Sequence, residues 1–350
     1  MSEAAYTFDD VMFEPQYSEI RSRSEVSLSS KIGDGFYLRL PVISANMADV
    51  TEKNMAIEMA KNGGMGIIHR FMSIEENVEM FLECKDSVIS EGLDLRSIGV
   101  SIGVGEECKE RFKALRAEGA ITFCIDVAHG HHIHVKNMLK WVRGQVQEDD
   151  EIILIAGNVA SVAGAWDLYQ WGADVIKVGV GPGGLCQTRE NTGVGIPQLY
   201  VLEKIANYFD DNTYDWQENR PYIIADGGIK KTGDIAKALK YADAVMLGSF
   251  LSGTSETPGH VYESMEGKFY KTIAGSASAE SKVRSGKSNS FVEGGIRQVE
   301  FRGKVKFILR KIKENVQSSF SYAGAKNIGI FRKKSKLVKI SGGGKKESKF

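Results

Sequence analysis

The stretch Ala173-Asp174-Val175-Ile176-Lys177-Val178-Gly179-Val180-Gly181-Pro182-Gly183-Gly184-Leu185-Cys186-Gln187-Thr188-Arg189-Glu190-Asn191-Thr192-Gly193-Val194-Gly195 divides into two parts of opposite character. Ala173 to Val178 is a short apolar, β-branched run of the kind that forms a buried strand. The seventeen residues from Gly179 to Gly195 carry six glycines and a proline. Glycine costs backbone entropy in a regular element and proline lacks a ladder donor, so this part is a loop hung from a strand's C-terminal end. A cysteine in such a frame can be approached closely by a ligand, and its thiol is a capable nucleophile once ionised.

Outward from that strand, short apolar runs recur along the chain: Leu40 to Ser44, Met65 to His69, Ile98 to Ile102, Ile121 to Asp126, Ile152 to Ala156, Tyr222 to Ala225 and Ala244 to Leu247. With Val175 to Val178 they make eight. Between them lie segments with apolar residues near helical spacing, among them 75–90, 106–117, 135–146, 162–171, 197–208 and 233–241. Eight strand–helix alternations predict an α/β fold, a parallel (β/α)8 TIM barrel. A doubly wound open sheet would use fewer strands and open on a glycine fingerprint after its first one, which is missing here.

Barrel chemistry is built at the C-terminal strand ends. The unusual residues fall there: Ser44-Ala45-Asn46-Met47, Asp126-Val127-Ala128-His129-Gly130, Gly157-Asn158, the cysteine loop, Asp226-Gly227-Gly228-Ile229 and Gly248-Ser249. The last two turns follow strands seven and eight, where barrels commonly bind phosphate through backbone N–H groups. They point to a phosphorylated ligand, with Asp226 as acceptor for ribose hydroxyls and Ser249 as phosphate donor.

Composition narrows the classes. The 350 residues are 42% hydrophobic and 26% charged, which suits a globular chain with a sizeable core. Lys plus Arg equals Asp plus Glu at 45 each, so net charge argues for neither nucleic acid nor a membrane. Cys84, Cys108, Cys124 and Cys186 are widely spaced with no CxxC pair, as expected of reduced thiols. Without a basic n-region, an apolar h-region or a long apolar run, the expected location is the cytoplasm. His129, His131, His132 and His134 crowd one segment but lack the carboxylate or cysteine partners of a closed metal site. The expected organisation is a barrel over residues 1–330, with a Gly-, Ser- and Lys-rich flap at about 262–302 and a last amphipathic helix over 304–319. A basic tail over 331–350, with seven lysines between Arg332 and Phe350, reads as a solvated end.

The loop Gly179 to Gln198 resembles the active-site loop of the IMP dehydrogenase and GMP reductase family. The similarity extends through Ala45-Asn46-Met47, Gly63-Gly64-Met65-Gly66, Gly157-Asn158-Val159-Ala160, Asp226-Gly227-Gly228, Met246-Leu247-Gly248 and Phe320-Ser321-Tyr322-Ala323-Gly324. The resemblance implies a purine nucleotide at the barrel mouth, the Cys186 thiolate adding to C2 of the base, and a nicotinamide cofactor alongside. It implies Thr188 and Glu293 as proton relay. Nucleotide contacts fall on Ser44, Met47, Asp126, Asn158, Gly183, Gly184, Asp226, Gly227, Gly228, Gly248, Ser249, Gly275 and Ser276. Cofactor contacts fall on Ala128, His129 and Arg189, and a potassium ion on the carbonyls of Gly181, Gly183 and Cys186. A homotetramer is implied too.

Within the family, a dehydrogenase needs a mobile Arg-Tyr flap to activate water and usually carries a CBS pair after strand two. Here Met72 to Ser97 has room for one helix only, and Ser276 to Val292 has no tyrosine. The expectation is therefore an NADPH-dependent reductase that converts GMP to IMP and ammonia, in a single domain without a CBS insertion. The open alternatives are IMP dehydrogenation with NAD, a related oxidoreductase acting on another purine nucleotide, and a catalytically silent nucleotide-binding barrel. Gly184 stands where relatives carry a phosphate-holding serine, Ser276 where they carry a methionine, and Asp126 to His131 looks more like the dehydrogenase loop.

Overall fold

The computed structural model describes residues 4–147, 150–212, 220–275 and 294–347. Its leader contains strand β1 (Val11–Glu14) and a hairpin of β2 (Ser30–Gly33) and β3 (Phe36–Leu38). The barrel strands are β4 (Val42–Ser44), β5 (Met65–Ile68), β6 (Ile98–Ile102), β7 (Thr122–Asp126), β8 (Ile153–Val159), β9 (Val175–Val178), β10 (Tyr222–Asp226) and β11 (Ala244–Leu247). Each pairs in parallel with its sequence neighbours, and β11 closes on β4 with Val245 beside Val42, giving a closed (β/α)8 barrel. All eight expected strands are present. Their side chains are buried on both faces, which is why they read as continuous apolar runs rather than alternations.

Helices α1 (Lys53–Lys61), α2 (Ile74–Ser90), α3 (Glu106–Ala117), α4 (Ile133–Arg143) and α5 (Val162–Gln170) follow successive strands. The short α6 (Thr188–Thr192) lies inside the cysteine loop, and α7 (Gln198–Asn212) and α8 (Thr232–Leu239) continue the ring. The helix Val305–Tyr322 packs against α8 and α1 as the eighth. Local chemistry sets the starts: Ser73 Oγ accepts the Glu76 N–H at 3.1 Å while Glu76 accepts the Ser73 N–H at 2.8 Å, a reciprocal cap for α2. Helix α1 has no counterpart among the sequence expectations. It spans only nine residues, and its buried stripe is Met55, Ala56, Met59 and Ala60, too brief a period to stand out.

Two apolar layers result. One fills the space between strands and helices. The other lies inside the barrel, where Ile43, Met65, Ile67, Ile155 and Ile224 meet Ile32, Phe36 and Leu38 of the β2–β3 hairpin. That hairpin also touches Ile153, Val175 and Ala244 at the strand starts, so it plugs the N-terminal end and leaves the C-terminal end as the mouth.

Beyond β11, β12 (Tyr262–Glu263), β13 (Phe269–Ala274) and β14 (Ile296–Glu300) form an antiparallel sheet beside the mouth. The intervening residues 276–293, the middle of the expected flap, lie outside the described residues. Among the described residues, the basic C-terminal segment is docked through its apolar residues while most of its lysines stay exposed. Phe331, in the helix Ile328–Lys334, stacks on Phe320 with ring centroids 3.9 Å apart, and β15 (Lys336–Lys339) pairs antiparallel with β1. The lysine count hides Ile328 and Phe331, both buried, which dock this segment. Among the described residues no helix is long and apolar enough to cross a membrane.

Candidate active site

The mouth holds a cavity of about 400 Å³, within the range of small-ligand sites. Its floor is charged. Lys177, in the second half of β9, is buried, and its Nζ lies 2.5 Å from Asp126 Oδ1 at the end of β7 and 3.0 Å from Asp226 Oδ2 at the end of β10. Burial alone would push the Lys177 ammonium toward its neutral form, but the two carboxylates outweigh it and hold its pKa above that of an ordinary lysine. Asp126 is governed by the same balance. Burial favours the neutral acid, while Lys177, Arg70 and a hydrogen bond from Asn46 outweigh it and keep the carboxyl below the usual range. Asn158 Nδ2 bridges the Gly179 carbonyl and Asp226 Oδ2, each at 2.8 Å, and Asn46 Nδ2 donates to Ser101 Oγ at 3.0 Å.

The wall is the cysteine loop. Gly179 leaves β9 at φ +147, and a Cβ there would stand 2.0 Å from the Asp226 carbonyl oxygen, so only glycine lets the loop start against β10. Gln198 Nε2 secures the strand end by donating to the Val178 carbonyl at 2.7 Å. Cys186 is exposed at the cavity, with its Sγ 3.1 Å from Thr188 Oγ1. Its backbone forms a bridge with Gly294, and the Gly295 N–H donates to the Leu185 carbonyl at 2.9 Å, so the base of the flap is fastened to the nucleophile's own loop. Cys84 and Cys124 are poor nucleophiles: burial pushes both thiols up to about 12.

Most of the expected residues meet here. Met47, Asp126, Ala128, Asn158, Gly181, Gly183, Gly184, Cys186, Thr188, Asp226, Gly227, Gly228, Gly248, Ser249 and Gly275 all line the cavity. Gly184 and Ser249 are neighbours, since a Cβ on Gly184 would stand 3.3 Å from Ser249 Oγ.

Three expected residues do not reach the cavity lining. Ser44 is buried beneath it and accepts the Thr51 hydroxyl at 2.8 Å. His129 is exposed beside His131, whose Nε2 lies 2.8 Å from Asp167. Arg189 turns under the loop, its stem against Gly181 and Gly195 and its guanidinium donating to the Ile196 carbonyl. It braces the loop from below. Ser276 and Glu293 lie outside the described residues.

Lys177, Arg70 and Phe71 also line the cavity and were not singled out from the sequence. The signal for Lys177 was a lone cation inside an apolar strand; Arg70 is the second residue past β5, at the catalytic end. Arg70, Phe71 and Val127 also border a larger neighbouring cavity of about 1000 Å³, which is rich in glutamates and is remote from Cys186. Volume therefore does not locate the chemistry; the exposed thiol beside a hydroxyl does. Among the described residues no group of His, Cys, Asp or Glu could hold a metal ion. Of the three carbonyls expected to hold a monovalent cation, that of Gly183 accepts the Cys186 N–H at 3.0 Å, which leaves one of its two lone pairs for another partner.

Comparison with known proteins agrees with this geometry. A family model described as IMP dehydrogenase / GMP reductase domain matches residues 5–350. The chain is 34% identical to the inosine-5'-monophosphate dehydrogenase of Cryptosporidium parvum, over 98% of this chain and 94% of that one. It is 35% identical to the GMP reductase of Lactobacillus gasseri, over 94% of this chain and 93% of that one. A crystal structure of a GMP reductase variant from Trypanosoma brucei in complex with guanosine 5'-monophosphate superposes with a TM-score of 0.88. It covers 100% of this chain and 98% of that one at 26% identity.

Proposed function

The chain belongs to the IMP dehydrogenase / GMP reductase family of oxidoreductases, and from that premise we propose that it is a GMP reductase, converting GMP to IMP and ammonia with NADPH. The observation that carries this reading is the exposed Cys186 thiol 3.1 Å from the Thr188 hydroxyl, at the mouth of a cavity with a charged floor.

The chemistry follows from these residues. The Cys186 thiolate adds to C2 of the purine, making a C–S bond and pushing electrons into the ring. The C2 amine then leaves as ammonia, which requires a proton on its nitrogen. Thr188 hands that proton on, with Glu293 as its source; Glu293 precedes Gly294, whose backbone bridges Cys186. A reduced nicotinamide, which Ala128 in the cavity lining would help to hold, would supply hydride to C2 in place of the amine; Cys186 then leaves C2 as the thiolate, breaking the C–S bond and releasing IMP. Asp226 and Asn158 face the sugar, and Gly227, Gly228, Gly248 and Ser249 hold the phosphate through N–H and O–H donors. A potassium ion on the loop carbonyls would hold the loop's shape, and a homotetramer is the proposed assembly.

The segment Ser276 to Val292 lacks a tyrosine, which favours the reductase over a water-activating dehydrogenase. The dehydrogenase reading, IMP to XMP with NAD, is favoured by relatives of that name at 34% identity. Incubation with GMP and NADPH should consume NADPH, and Cys186→Ala should abolish the consumption. Sustained XMP formation from IMP and NAD would establish the dehydrogenase instead. Nucleotide binding without turnover of any purine would leave the silent barrel.

A further inference from the structure

The steps above leave Lys177 unused, although it lies at the centre of the cavity floor. A buried lysine inside a barrel strand must find compensation for its lost hydration. Lys177 finds it in two carboxylates from different strands, Asp126 on β7 and Asp226 on β10, both touching the same nitrogen. The oxygens of the two acids can therefore be no further apart than the two contacts end to end. Around them stand Arg70, Asn46 and Cys124 on the Asp126 side and Asn158 on the Asp226 side. Lys177 and Asn158 both bind Oδ2 of Asp226, which leaves Oδ1 without a partner among the described residues.

We propose that Lys177 is a positioning residue for the nucleotide: by standing between Asp126 and Asp226 it holds the Asp226 carboxylate as a pure acceptor, with Oδ1 presented to the sugar hydroxyls. The inference rests on the reading of this cavity as a nucleotide site. Two carboxylates this close, stripped of the shared cation, repel each other, and taking up a proton relieves that repulsion. A protonated Asp226 would offer a donor where the diol needs an acceptor, and it would lose the bond that orients it. Nucleotide affinity would then weaken as pH falls, which a lysine that merely filled space would not cause.

The test measures GMP binding by calorimetry from weakly acidic to weakly alkaline buffer. It compares wild type, Lys177→Met and the double variant Lys177→Met/Asp126→Asn. Wild type should bind with little pH dependence. Lys177→Met should lose roughly tenfold or more in affinity, about one unmet charged hydrogen bond, and the loss should grow as pH falls. The double variant restores the cluster's net charge and gives Asp226 an amide donor. Because Asp126 itself lines the cavity, the readout for the double variant is the slope and not the absolute affinity: it should bind GMP with the pH profile of wild type. A Lys177→Met protein that binds GMP as wild type does at every pH overturns the proposal, as does a folded double variant whose affinity still falls with pH more steeply than that of wild type. If the single variant does not fold, the double variant decides by the same criterion. Failure of wild type to bind any purine nucleotide overturns the nucleotide reading itself, and this inference with it.

Discussion

Two buried charge clusters sit at opposite ends of the barrel with inverted stoichiometry. At the mouth, one cation, Lys177, stands between the anions Asp126 and Asp226. At the other end, one anion, Asp243 just before β11, stands between the cations Arg220 and Arg332. The lower cluster is closed. Asp243 Oδ1 accepts from both guanidiniums at 2.9 Å, and Oδ2 accepts the Ile223 N–H at 2.7 Å. Burial favours the neutral acid there, yet the two arginines outweigh it and hold the carboxyl below the usual range. The upper cluster is open: the Asp126 and Asp226 side chains keep about a fifth of their surface exposed, and one oxygen of Asp226 is unspent. A saturated cluster can only hold structure together, whereas an unsaturated one at a cavity can bind. The lower cluster also explains the C-terminal segment, since Arg332 reaches Asp243 while Lys240 donates to the Ser335 carbonyl at 2.7 Å.

The contrast can be broken most sharply at Asp243. Asp243→Ala takes from Arg220 and Arg332 the carboxylate that both bond, leaving only Asp210 as an anion near them, so chemical denaturation should show a loss of about 3–5 kcal/mol, while the folded fraction keeps its turnover. A loss below about 1 kcal/mol would remove the claim that this end is the staple. Lys177→Met should be milder in the same experiment, about 1–3 kcal/mol, because its carboxylates can reach water. Equal losses for the two would erase the distinction between open and closed clusters.

Arg332→Met should cost less again, about 1–2 kcal/mol, since Arg220 still neutralises Asp243. Hydrogen exchange should nevertheless quicken in β15, where Lys336–Lys339 pairs with β1. Unchanged protection there would mean that Phe331 alone docks the segment.

The smallest effect is in acid. Asp126 and Asp243 both have carboxyls below their unfolded value, so each contributes stability that is complete above the ordinary carboxylate range and is lost as pH falls through its folded value. Lys177 behaves oppositely, because its pKa is raised. Its share is complete below the ordinary lysine range and is lost only in strong alkali. Asp243→Asn should therefore flatten the acid limb of a stability–pH curve by one carboxylate and leave the alkaline limb alone. An unchanged acid limb would show that Asp243 is not ionised in the folded chain.

Strand legibility has a simple cause. Parallel barrel strands are buried on both faces, so each is a local apolar run, and the loops after them must carry whatever is polar, glycine-rich or reactive. Cys186, Thr188, Asp126, Asn158 and Asp226 could be placed at one end from that pattern. Arg189 could not be placed, because whether a long side chain points into a cavity or under its own loop depends on how Gly181 and Gly195 pack, and these glycines only receive its stem once the loop is folded. Ser44 shows the same limit at a strand end: the partner that takes its hydroxyl, Thr51, is seven residues away on the following turn.

By itself, then, the sequence determined the strand count, the reactive loop and the set of polar residues at the catalytic end, since all of these are written in neighbouring residues. Tertiary structure decided which charges meet. Lys177 finds Asp126 and Asp226 across separations of 51 and 49 residues, and Arg332 finds Asp243 across 89. Coulomb attraction acts through space rather than along the chain, so no local pattern could say that one cluster would be sealed and the other left open.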